Sequence, residues 1–219
     1  MNLVAIPARG EATQAHLSDE ALARGLRFLT RRDRDLGRVV KKHGPPPMWA
    51  REAGFSTLLH IILEQQVSLA SARAAHTKLL EIASPLTPRR FLKLDDATLK
   101  AAGFSRQKTA YARELARAIV QRELDLDGLM SMDDVAVRSE LIKIKGIGRW
   151  TADIYLLMVL RRPDIWPAGD LALAVAAQHV KGLKARPTPE ELDEIGTAWR
   201  PWRAVAARIL WHHYLSELV

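Results

Sequence analysis

The chain has 219 residues, 48% of them hydrophobic and 26% charged, an ordinary balance for a soluble globular protein with room for one larger domain or two small lobes. It holds no cysteine, which excludes disulfides, cysteine-ligated zinc, iron–sulfur clusters and thiol nucleophiles. Lys and Arg number 33 against 25 Asp and Glu, a net charge of +8, so a polyanion is the first partner to consider.

Taken in chain order, the pattern is helix after helix. Met1 to Gly10 lacks the apolar core of a secretory signal, and no apolar run reaches membrane-spanning length, so a cytoplasmic location is expected. Ser18 caps a helix through Leu26 and Phe28, and a basic stretch, Arg31 to Lys42, runs into Gly44-Pro45-Pro46-Pro47. Phe55, Leu58, Leu59, Ile62 and Leu63 recur at helical spacing, and Ser68 caps the next helix. Ser84-Pro85 and Thr87-Pro88 punctuate the connection that follows. Asp95 or Asp96 opens a short helix ending at Gly103, and Ser105 opens a longer one with Tyr111, Leu115 and Ile119 on one face. A further helix leads to Ile142, Gly146-Ile147-Gly148 interrupts, and Arg149 to Leu160 is helical again. Pro163 and Pro167 force an extended connection, Asp170 starts a helix through Val180, and Thr188-Pro189 and Pro201 mark the last two starts. No alternating strand of useful length is present, so the expected fold is all-α, with about ten short helices.

Two segments carry chemistry. In Leu141-Ile-Lys-Ile-Lys-Gly-Ile-Gly-Arg-Trp-Thr-Ala152 two helices flank a tight Gly-x-Gly turn. Gly146 and Gly148 permit backbone angles closed to other residues, and the amides of Ile147, Gly148 and Arg149 point outward at a helix N-terminus, a site suited to phosphate. An ordinary glycine-containing helix joint is the plain alternative. With Lys145 before it and Ala152 after it, the segment resembles the helix–hairpin–helix element that grips the DNA backbone without reading sequence. Downstream, Trp166-Pro-Ala-Gly-Asp170 sets Asp170 where an extended segment turns into a helix. There it accepts backbone hydrogen bonds and faces the positive helix end; a plain N-cap is the alternative.

Together, the hairpin and the Pro-x-Gly-Asp about twenty residues later resemble the helix–hairpin–helix glycosylase superfamily, and within it the bacterial DNA-3-methyladenine glycosylase II family. Ile61-Ile-Leu-Glu-Gln-Gln-Val-Ser68, Gly103-Phe-Ser-Arg-Gln-Lys108 and Trp199-Arg-Pro-Trp-Arg-Ala204 with Trp211 also match, so the resemblance spans residues from about 50 to 215. It implies a two-lobed helical fold with the active cleft between the lobes, a central lobe at about 55–160 and a second lobe from the N- and C-terminal helices. The 219 residues then form a single unit, a short form without the N-terminal β-rich domain of longer members.

The resemblance makes Asp170 the catalytic carboxylate, in a monofunctional glycosylase that removes alkylated purines such as 3-methyladenine and 7-methylguanine. Members that also cut the strand place a nucleophilic lysine where this chain has Trp150, so no Schiff base is expected there. The flipped base is expected against Trp150 and Trp211, whose π faces attract a cationic ring, with Tyr155 beside Ile154, which stands where some relatives carry an aromatic residue. Arg106 occupies the wedge position, which longer members fill with an aliphatic side chain, and Gln66 lies near the gap. Lys145, Gly146, Ile147, Gly148, Arg149 and Thr151 complete the DNA-binding set. The hairpin carbonyls are candidate ligands for a monovalent cation such as sodium or potassium; the scattered histidines have no metal spacing. The expected partner is double-stranded DNA containing damaged bases, bound by a monomer. A glycosylase for deaminated or oxidised bases, and a non-catalytic helix–hairpin–helix DNA-binding module, are the alternatives.

Overall fold

The computed structural model describes residues 16–219; the N-terminal stretch from Met1 to Gly10 lies outside the described residues. Among the described residues there are twelve α-helices, one short 3-10 helix and no strand, as the all-α expectation requires. None of these helices is long and apolar enough to cross a membrane. The chain divides into two compact units, one combining the segment up to Ala50 with Leu156–Val219, the other formed by Arg51–Tyr155.

In the first unit, α1 (Asp19–Arg32) and α2 (Arg34–His43) pack on each other and on α12 (Arg203–Glu217), which also lies against α10 (Leu171–Lys181) and α11 (Pro189–Thr197). Ser18 caps α1 by accepting the Ala21 amide. The basic stretch after it proves to be helical. Asp33, the one residue between α1 and α2, accepts the amides of Asp35 and Leu36 through its side chain, and Leu36 and Val39 are buried. The other carboxylate oxygen of Asp33 accepts Lys181 Nζ at 2.6 Å and Trp199 Nε1 at 2.8 Å, so a single side chain starts α2 and ties it to two distant segments. On α12, Arg208 is wholly buried, and its guanidinium donates to the carbonyls of Met48 (2.8 Å), Ala204 (3.0 Å) and Leu157 (2.9 Å). Burial lowers its pKa to about 10, which still leaves it charged at neutral pH.

The second unit is built on α3 (Phe55–Glu64), whose buried face packs on α4 (Leu69–Ala83) and α7 (Arg106–Val120). Two short helices, α5 (Pro88–Phe91) and α6 (Asp96–Ala101), also lie against α7. Ser68, Asp95 and Ser105 cap α4, α6 and α7 through their side chains, as their positions predict. The four-residue α5, capped by Thr87, is an addition to the expected elements. A 3-10 turn (Gly128–Ser131) leads to α8 (Asp134–Ile142), and the hairpin then opens α9 (Arg149–Met158).

Candidate active site and nucleic-acid interface

Asp170 is the N-cap of α10, with extended backbone angles of φ −79° and ψ 119°. Its Oδ1 accepts the Leu173 amide at 2.8 Å and the Trp211 indole Nε1 at 3.0 Å. The carboxylate is therefore more than a plain cap: a side chain from α12 is also aimed at it. Trp211 is only 7% exposed, so its pyrrole edge serves the carboxylate and little of its face is open. The next residue, Leu171, is an apolar side chain left 60% exposed beside the carboxylate. Toward the C-terminus of α10, His179 Nδ1 and His213 Nε2 lie 2.7 Å apart, joining α10 and α12 a second time.

The hairpin lies in the Arg51–Tyr155 unit. Ile144 and Ile147 bury their side chains, and the Ile147 amide closes the turn on the Ile144 carbonyl at 3.0 Å. That bond removes Ile147 from the outward-facing amides, a correction to the sequence expectation. Gly146 has a φ of +97°, and a Cβ there would overlap the Tyr111 ring, so both backbone and space demand glycine. Gly148 is different. It is not in the left-handed region, and a Cβ built on it meets nothing within 4 Å, so its contribution is an open approach to the first turn of α9. Lys145 is exposed, and the Arg149 side chain is 65% exposed while reaching to 3.6 Å from Asp153.

Thr151 faces inward. It is 1% exposed, and its hydroxyl accepts Gln65 Nε2 at 2.9 Å; the same nitrogen donates to the Gly146 carbonyl at 2.9 Å. Thr151 thus holds the hairpin and presents nothing to a ligand. Two turn carbonyls, of Ile144 and Gly146, each accept a hydrogen bond. Among the described residues no cluster of His, Asp and Glu has the geometry of a metal site.

Of the aromatic candidates, Trp150 is partly exposed, whereas Tyr155 is wholly buried and offers no ring face to a base. Burial, with a smaller contribution from Asp127, pushes the Tyr155 hydroxyl up to about 12. Gln66 is exposed with a φ of +56°, and Arg106 is exposed as the first residue of α7. Asp153, the other carboxylate near the hairpin, is 1% exposed and accepts Arg138 Nε and Nη2 at 2.9 and 2.7 Å, a structural ion pair. Burial outweighs these arginines and raises its pKa. Gln65 and Lys108 are the residues that sequence reasoning missed. Lys108 Nζ donates to the Leu63 carbonyl at 2.5 Å, and the partners of Gln65 lie 81 and 86 residues away, a distance at which one sequence gives no signal.

The alkylbase DNA glycosidase-like protein mag2 of Schizosaccharomyces pombe is 28% identical over 200 residues, covering 88% of this chain and 94% of that protein. The DNA-3-methyladenine glycosylase of Bacillus subtilis is 28% identical over 169 residues, which are 72% of this chain and 56% of that longer protein. Among solved structures, the Schizosaccharomyces pombe 3-methyladenine DNA glycosylase Mag1 in complex with abasic DNA superposes with a TM-score of 0.78 at 26% identity, covering 86% of this chain and 95% of that one. The DNA-3-methyladenine glycosidase of Bacillus halodurans gives 0.72 at 26% identity, covering 91% and 93%. Residues 59–201 match the family described as HhH-GPD superfamily base excision DNA repair protein, and the chain belongs to that superfamily.

Proposed function

We propose that the chain is a monofunctional DNA glycosylase that removes alkylated purines, among them 3-methyladenine, from double-stranded DNA. The observation that carries this reading is Asp170, a helix-capping carboxylate whose Oδ1 is fixed by both the Leu173 amide and the Trp211 indole. Relatives of the same superfamily that act as 3-methyladenine glycosylases supply the substrate class.

The duplex hides the glycosidic bond, so the damaged nucleotide leaves the stack before reaction. A purine methylated on a ring nitrogen is cationic and already a good leaving group. The partly exposed Trp150 supplies a π surface for that cationic ring. As the bond breaks, positive charge grows on the sugar. The oriented carboxylate of Asp170 stabilises it, and the same group directs the attacking water. The Gly148 amide, the first turn of α9 and the Lys145 ammonium hold a neighbouring phosphate. Gln66 and Arg106 fill the space left by the flipped nucleotide. Trp150 carries no amine, so the product is an intact abasic strand.

The test is incubation with DNA treated with a methylating agent. Free 3-methyladenine is released, and the strand breaks only after later alkali treatment. Borohydride trapping of a covalent protein–DNA adduct would contradict the monofunctional assignment.

A further inference from the structure

We propose that Gln65 is a positioning residue that couples the hairpin's hold on phosphate to the turn carrying Gln66. This rests on the glycosylase reading above. Gln65 ends α3, with φ −60° and ψ 124°, and its side-chain amide turns toward the hairpin. Nε2 has two N–H donors and meets two acceptors, the Gly146 carbonyl and the Thr151 hydroxyl, each at 2.9 Å. One acceptor lies in the turn and the other in the first turn of α9. The amide therefore bridges the turn and the first turn of α9, whose amides are the ones left to meet a phosphate.

The adjacent residue, Gln66, is exposed and held at a φ of +56°, a conformation that non-glycine residues adopt only when their surroundings require it. Two residues before Gln65, the Leu63 carbonyl accepts Lys108 Nζ at 2.5 Å, from the first turn of α7. The backbone leading into Gln66 is thus held by both the hairpin and the helix that begins with Arg106. A phosphate that settles on the hairpin fixes the Gly146 carbonyl, and through Gln65 the direction of Gln66. On undamaged DNA there is no gap for Gln66 to enter, so the coupling acts only at a vacated base.

The experiment compares binding to a duplex carrying a tetrahydrofuran abasic-site analogue with binding to the same duplex undamaged, for the full chain and its variants. Gln65→Met keeps the side-chain length and loses both donors. It is expected to bind undamaged duplex like the native protein while its preference for the abasic duplex falls about tenfold, a coupling of ordinary size. Thr151→Val is expected to share that loss and Thr151→Ser to retain the preference. A Gln65→Met protein with undiminished preference, or one with equal weakening on both duplexes and a lowered melting temperature, would overturn the coupling and leave Gln65 a packing residue. If the native protein neither prefers the abasic duplex nor releases base from methylated DNA, the glycosylase reading itself falls.

Discussion

At Asp170 two donors converge on one oxygen, and both are fixed by helices: the Leu173 amide by α10 and the Trp211 indole by α12. A hydrogen bond to a charged acceptor is worth about 1.5–3 kcal/mol. Trp211→Phe removes that donor and keeps an aromatic ring, so single-turnover base release is expected to fall by about tenfold or more with duplex binding preserved. An unchanged rate would mean that the indole N–H does not orient the carboxylate. A different residue-scale effect governs stability. His60 and His76 stack with ring centroids 4.4 Å apart in the second unit, beside Glu64 and Arg51. Burial, opposed by Glu64 and aided by His76, Arg51 and Arg73, lowers His60 from 6.5 to about 4. The unfolded chain binds this proton more readily than the folded one, so stability is full above pH 6.5 and declines as pH falls from there toward 4. His76, His212 and His213 are shifted in the same direction, each mainly by burial. Urea midpoints measured across that window are expected to drop on the acid side; a flat profile would contradict the assignment.

At the scale of elements, the pairing of α10 with α12 positions Asp170 against Trp211, and Arg208 ties α12 to Met48 and Leu157. It stands one turn before Trp211 and satisfies three carbonyls from three segments without any carboxylate. Arg208→Met takes this donor from the Met48 and Leu157 carbonyls, which is expected to cost about 3 kcal/mol, measured by urea unfolding. The helix starts were legible because capping is local chemistry: Ser18, Ser68, Asp95, Ser105, Asp170 and Thr188 each accept the backbone amide three residues on, as their sequence positions foretell. Helix α2 was hidden because its apolar positions are few among cations and its cap, Asp33, sits inside an Arg-rich run. In the hairpin the glycines were legible, but the fate of each amide and side chain was not. The closure of Ile147 on Ile144 is a property of the folded turn, and the inward role of Thr151 depends on Gln65, which no local pattern connects to it. Tyr155 was placed through Ile154, where some relatives carry an aromatic residue, yet both side chains lie in the core.

For the molecule as a whole, the net charge of +8 predicts affinity for duplex DNA that is steeply salt-dependent and indifferent to sequence. Lys145→Gln is expected to reduce the slope of log affinity against log salt by about 0.9, the value for one phosphate contact, on damaged and undamaged duplex alike. A slope equal to that of the native protein would remove Lys145 from the interface. The superfamily was readable from five ordered motifs because each is a local device, a cap, a turn or a helix start, and their order along the chain is far more specific than any one alone. In the proposed function the reaction is decided by Asp170. The measurement that tests it most directly is release of 3-methyladenine from methylated duplex DNA by the native protein and by Asp170→Asn, with duplex binding recorded in parallel. The amide keeps an oxygen for Leu173 and Trp211 but carries no charge, so base release is expected to collapse while binding persists. Native-like release by Asp170→Asn would contradict the account.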